Sequence, residues 1–240
     1  MTADPAPFVV AIIVALASER ACVNAGTADD RATMLVVKQS GPGPGNAAAA
    51  ARAVAESGAD ALVSFGFAGG LDPRLKPGTA VVPDRVILAS GATLATDSGW
   101  KTRILKAIGT ELATVEGALL TANGVLETPD RKSAAAEATG AVAVDMESGA
   151  IATVAADAGL PAVAIRVVAD CAADSLPHGI ERWIDSRGHR RIAPIAAATL
   201  SPAMWPVLWL FARRHRAAQR TLKTAAQRLV RTGFEFAARP

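Results

Sequence analysis

Ile165-Arg166-Val167-Val168-Ala169-Asp170 is an apolar, strand-like run that gives way to polar sequence at a carboxylate. Upstream, Val144-Asp145-Met146-Glu147-Ser148-Gly149-Ala150 makes the same transition, and Glu19 ends the apolar run Phe8 to Ala17 in like manner. Acids delivered to strand ends predict a polar site on an apolar scaffold, because open α/β sheets bind ligands at the ends of their strands.

Working outward, short runs rich in Val, Ile, Leu and Ala recur at Val9 to Leu16, Met34 to Val37, Ala61 to Phe65, Ala80 to Leu88, Ala118 to Thr121, Ala141 to Val144 and Ala162 to Val168. Their near-continuous apolarity predicts strands covered on both faces. Helical patterns lie between them at Asn46 to Ser57, Gly99 to Ile108, Arg131 to Ala138 and Glu147 to Ala158, with Gly58, Gly159 and Pro161 as stop signals. The alternation predicts an α/β protein: a three-layer αβα sandwich around a central mixed, mostly parallel sheet.

The chain has 240 residues, 51% of them hydrophobic, enough for a sizeable core. Its net charge of +3 conceals an asymmetry: residues 182–240 hold 12 Lys and Arg against 2 Asp and Glu, whereas residues 1–181 hold 13 against 20. A catalytic domain over 1–181 and a basic, apolar helical extension over 182–240 are therefore expected. Two cysteines, Cys22 and Cys171, argue against a disulfide framework and fit a reducing compartment. The first apolar run lacks the positive flank of a signal peptide, which predicts a cytoplasmic protein.

The extension carries two signals. Ile192 to Ala212 is free of charge, but Pro194, Pro202 and Pro206 break it as a spanning helix. Next, Leu208, Phe211, His215, Ala218, Leu222, Ala225 and Leu229 repeat at helical spacing opposite Arg213, Arg216, Arg220 and Lys223. With Trp205 and Trp209 upstream, residues 203–231 read as a basic amphipathic helix for a membrane interface, on the inner membrane face, or as a helix packed on its own domain or another subunit. No nucleic-acid module accompanies the basic charge. His178, His189 and His215 have no metal-ligand spacing.

Gly41-Pro42-Gly43-Pro44-Gly45-Asn46 opens into an alanine-rich helix. Such a turn presents backbone N–H groups to an anion or serves as a structural turn capped by Asn46. Its ending is not that of a phosphate-binding Walker loop.

Five motifs occur in order: Ala15-Leu16-Ala17-Ser18-Glu19, Ser40-Gly41-Pro42-Gly43, Phe65-Gly66-Phe67-Ala68-Gly69-Gly70-Leu71, Ala143-Val144-Asp145-Met146-Glu147-Ser148 and Arg166-Val167-Val168-Ala169-Asp170. Together they resemble the purine nucleoside phosphorylase and methylthioadenosine/S-adenosylhomocysteine nucleosidase superfamily. The tail after Asp174-Ser175-Leu176-Pro177 is most similar to the hopanoid-associated phosphorylase branch, which removes adenine from adenosylhopane. The resemblance implies a homo-oligomer and an enzyme without a cofactor, with inorganic phosphate as a possible co-substrate.

By that resemblance Asp170 is the acid that protonates the purine at N7, and Glu147 binds the ribose diol, which offers two O–H donors to an acceptor. Met146 packs on the nucleoside, and Glu19 activates water or, in a phosphorylase, holds ribose or phosphate. Asp145, Gly66, Phe67, Ala68, Val125 and Leu126 complete the expected substrate contacts. Free aspartate, with a pKa near 3.9, is protonated only about one time in a thousand at pH 7, so the acid needs burial. Ser64 and Phe67 stand where bacterial phosphorylases carry their Arg and Ser phosphate ligands. Gly41, Gly43, Gly45, Asn46 and Arg20 are the remaining phosphate-binding candidates, and hydrolysis and phosphorolysis both stay open. The alternatives are a methylthioadenosine or S-adenosylhomocysteine nucleosidase and a non-catalytic membrane-interface module.

Overall fold

Each apolar run forms a strand, and each polar, glycine-punctuated stretch turns the chain into a helix or loop. The computed structural model describes residues 6–23 and 33–230. In order, its elements are β1 (Phe8–Val14), α1 (Ala17–Val23), β2 (Thr33–Gln39), α2 (Pro44–Glu56), β3 (Ala61–Gly70), β4 (Ala80–Val81), β5 (Arg85–Ile87), β6 (Thr93–Ala95) and α3 (Ser98–Ile108). There follow β7 (Thr114–Val115), β8 (Ala118–Thr121), α4 (Pro129–Thr139), β9 (Ala141–Asp145), α5 (Ser148–Asp157), β10 (Ala162–Asp170), α6 (Ile192–Thr199) and α7 (Trp205–Arg228).

The sheet runs β6-β5-β8-β9-β3-β10-β4-β7, with β1 beside the first half of β3 and β2 outside β1. Most pairings are parallel; β10 with β4, β3 with β9 and β5 with β6 are antiparallel. The mixed αβα architecture is the one expected. The run Ala80 to Leu88 is not one strand, because Pro83 has no N–H to give a ladder and separates β4 from β5.

Strand alternation sorts the core into two layers. Ala11, Ile13 and Leu62 face α2 and α5, whose contact is alanine-rich and close. Val10, Ile12, Val63, Phe65 and Val167 face Trp100 and Ile104 of α3 and Ala218 and Leu222 of α7.

The second half of the apolar stripe of the basic tail is thus packed on its own domain, one of the placements expected for it. Ala218, Leu222, Ala225 and Leu229 are fully buried, because the sheet face they cover would otherwise stay open to water. What the tail exposes lies earlier: Ile192 is 83% and Leu200 83% exposed, around α6, and Trp205 60% and Trp209 63%, at the start of α7. No single described helix is long and apolar enough to cross a membrane, and the one pair that passes together is bent by 99°. Residue 231, the last of the stretch assigned to membrane contact, lies outside the described residues.

Candidate active site

β3 is the axis of the site. Its far end, Phe65-Gly66-Phe67-Ala68-Gly69-Gly70, lies beside the end of β10, with Gly66 opposite Arg166 and Gly69 opposite Asp170. Arg166 interrupts an otherwise apolar strand, and a guanidinium there must find counter-charge. Its Nη2 lies 2.6 Å from Oδ2 of Asp145 and 3.8 Å from Oε2 of Glu147. The same nitrogen donates to Ser64 Oγ at 2.7 Å and Ser148 Oγ at 3.1 Å, and Nη1 donates to the Phe67 carbonyl at 3.4 Å.

Glu19 joins this cluster from the first turn of α1, not from the end of a strand. Its Oε2 accepts from the N–H groups of Ala15 at 2.8 Å and Leu16 at 2.9 Å, and its Oε1 accepts from that of Phe67 at 2.8 Å. A carbon at Gly66 would lie 2.3 Å from Oε1 of Glu19 and 2.5 Å from Nη1 of Arg166, so only glycine leaves room for the pair. Glu147 Oε1 accepts from the Gly43 N–H at 2.9 Å, and Asp145 is fixed by Thr121 Oγ1 at 2.8 Å and the Ser148 N–H at 3.0 Å.

Burial governs the charge states. It raises the pKa of Glu19 against the opposing pull of Arg166. It also lifts Glu147 to about 7, with Arg166 opposing and Asp145 adding to the rise. Burial alone would lower Arg166, but Asp145, Glu147 and Glu19 together hold its pKa above the ordinary value.

Asp170 stands apart from the arginine cluster. Its Oδ2 accepts from Lys132 Nζ at 2.5 Å, and a carbon at Gly69 would lie 3.3 Å from that oxygen. Burial raises its pKa, with Lys132 pulling the other way. Lys132, itself buried, spends its other donors on the carbonyls of Cys171 at 2.8 Å and Asp174 at 3.1 Å.

Among the other expected residues, Met146 is half-buried, Ala68 packs in the core, and the Phe67 ring meets that of His215 at 4.7 Å between centres, tilted by 55°. Val125 does not offer a free backbone edge: its N–H donates to Glu181 Oε1 at 2.7 Å and its carbonyl accepts from Arg131 at 3.4 Å. Of the anion candidates, the Gly43 N–H is committed to Glu147, and Asn46 donates to the carbonyls of Pro42 at 2.9 Å and Ser186 at 3.4 Å. A carbon at Gly41 would collide with the Ser186 carbonyl oxygen, Gly45 has open space about it, and Arg20 is exposed on α1.

Sequence reasoning gave no role to Arg166, Ser148 or Lys132. A charge inside a buried strand was the available signal for Arg166. Lys132 had none, since it sits on a helix without a marked apolar stripe.

The fold matches solved nucleosidases. With the methylthioadenosine/S-adenosylhomocysteine nucleosidase of Helicobacter pylori the TM-score is 0.69 at 16% identity, covering 92% of this chain and 98% of that one. With the Neisseria meningitidis enzyme, solved with methylthio-immucillin-A, it is 0.68 at 21% identity, covering 92% and 98%. With the S-adenosylhomocysteine nucleosidase of Streptococcus pyogenes, solved with 5-methylthiotubericidin, it is 0.70 at 19% identity, covering 94% and 98%. Coverage of this order takes in most of the tail. No curated protein matches the chain. The phosphorylase superfamily model matches residues 26–201. That match over most of the sequence makes this chain a member of the phosphorylase superfamily, the nucleoside phosphorylase and nucleosidase enzymes to which its ordered motifs pointed.

Proposed function

We propose that the chain cleaves the N-glycosidic bond of an adenine nucleoside whose sugar carries a large apolar group, as in adenosylhopane, with water as the acceptor. The observation that carries the reading is the placement of two acidic poles along one strand. Gly66, against Glu19 and Arg166, and Gly69, against Asp170, are three residues apart, or about 10 Å at the rise of a β-strand. That span suits a nucleoside with ribose at one pole and purine at the other.

In this reading Asp170 gives its proton to purine N7 as the bond from the sugar C1′ to N9 breaks, and the bonding electrons leave with the base. Burial favours the neutral acid this requires. With Oδ2 held by Lys132, Oδ1 is left to the purine. Glu147 accepts from the ribose hydroxyls. Glu19, with three of about four acceptor sites taken by backbone N–H groups, has one left for a water; it takes that water's proton as the oxygen bonds to C1′. Glu19 then releases its proton to solvent, and solvent returns one to Asp170.

Electrostatics favours water over phosphate. Three buried carboxylates share the one guanidinium, so Arg166 has no charge left over to receive a phosphate dianion. The candidate cations are placed elsewhere: Arg20 is exposed and Lys132 is committed.

The apolar substituent is supported by α7. His215 packs against Phe67, Phe211 stacks on His215 at 6.0 Å, and Trp205 lies ten residues before His215, about 15 Å along the helix. This row leads from the site to the exposed Ile192, Leu200, Trp205 and Trp209, with Arg190, Arg191 and Arg213 nearby in sequence and no acid from Ser186 to Val230. Such a surface suits the face of an anionic membrane. A cytoplasmic homo-oligomer docked on the inner membrane, in the hopanoid-associated branch, is part of the same proposal.

The experiment supplies purified protein with adenosylhopane and, separately, with methylthioadenosine, each with and without phosphate, and identifies the sugar product. Adenine with a free ribosyl product in phosphate-free buffer is expected, with preference for the lipid-linked nucleoside. A product formed only with phosphate overturns the water reading. Preference for methylthioadenosine reassigns the chain to the nucleosidases of its structural neighbours. Asp170→Asn should slow release at least about a hundredfold.

A further inference from the structure

The turn after β10 is clamped from two sides. From α4, Lys132 donates to Asp170 Oδ2 and to the carbonyls of Cys171 and Asp174. Within the turn, the Cys171 N–H donates to Asp174 Oδ2 at 2.7 Å, and the Asp174 N–H donates to the Cys171 carbonyl at 3.0 Å. From α7, the guanidinium of Arg214 pairs with that same Oδ2 of Asp174. Asp174 is buried, so its carboxylate relies on these partners.

We propose that Arg214 is a positioning residue for Asp170: acting through Asp174, it holds the turn that presents the acid and sets the charge around it. The inference rests on Asp170 being the proton donor of the reaction. The ionisable groups facing Asp170 are Lys132 on α4, Asp174 in the turn and Arg214 on α7. Lys132 and Arg214 favour the ionised acid and Asp174 the neutral one. Loss of Arg214 removes a cation and leaves Asp174 uncompensated, and both effects favour the protonated form. Activity that needs protonated Asp170 falls as pH rises through its pKa, so the alkaline limb of the rate profile moves to higher pH. A slack turn lowers kcat at the same time.

The test measures adenine release from methylthioadenosine across pH by wild type, Arg214→Ala, Arg214→Lys and Asp170→Asn, with each fold checked by circular dichroism. The Asp170 carboxyl is titrated in parallel by carbon NMR, assigned by its loss in Asp170→Asn. Arg214→Ala should lose at least about tenfold in kcat with KM little changed, and its limb and NMR midpoint should both move upward. Arg214→Lys, which keeps the charge and the fold, should restore the midpoint and most of kcat. A midpoint in Arg214→Ala equal to wild type overturns the proposal, even where wild type proves inert to this substrate. If Asp170→Asn is inactive while Arg214→Ala is unaffected, only the role of Arg214 falls. Wild-type turnover in Asp170→Asn removes the acid assignment and the positioning role with it.

Discussion

A carbon placed on Gly66 would stand 2.3 Å from Oε1 of Glu19, so the absent side chain is what lets α1 bring its acid onto β3. Gly66→Ala must therefore push Glu19 or Arg166 aside. Displacements near 1 Å cost about a hundredfold in rate, and overpacking costs about 1–3 kcal/mol in stability. Assay of adenine release with a parallel thermal melt checks both, and unaltered turnover would remove Glu19 from the reacting centre.

Glu147 makes stability depend on pH. Its native pKa, near 7, exceeds the ordinary 4.5, so the folded state binds more protons between those values, and stability falls as pH rises across that window. The loss is on the order of 3 kcal/mol. Glu147→Gln should flatten this part of a urea-denaturation series run from pH 4.5 to 7.5.

Arg166→Met strands Asp145, Glu147 and Glu19 without their shared counter-charge. A cost of about 3–5 kcal/mol is expected at pH 8, shrinking toward pH 5 as Glu147 and Glu19, whose pKa values burial raises, take up protons. Equal destabilisation at both values would mean that the guanidinium acts there by packing alone.

Where residue type itself dictated structure, the sequence was legible. Near-continuous Val, Ile and Ala runs between glycine stops gave the sandwich, and ordered motifs gave the family. Glu19 was found although its helix was not, because a residue's nearness to a strand end is local information. Lys132 and Arg214 were invisible, since each gains its meaning from the turn at Asp174, far away in sequence. The tail left two placements open for a definite reason: an apolar stripe opposite arginines has the same pattern whether it meets lipid or a sheet. Only the uncovered face of β3 and β10 decides between the two.

That distinction is testable within α7. Leu222→Ala should cost about 2–5 kcal/mol, as a buried large-to-small change does. Trp209→Ser should leave the melting temperature almost unchanged but weaken partition onto anionic vesicles, read by fluorescence. If Trp209→Ser binds vesicles as wild type does, the exposed apolar surface is not the membrane contact.

Leu222 and Leu229 share one hydrophobic core with Val10 and Ile12, which come from an element far away in sequence. During translation the part of this core that α7 closes, over β3 and β10, therefore stays wet until the segment carrying Leu222 and Leu229 has left the ribosome. Until then the nascent protein has to hold an unfinished, aggregation-prone sheet, and a chaperone that shields that sheet face would find its substrate here.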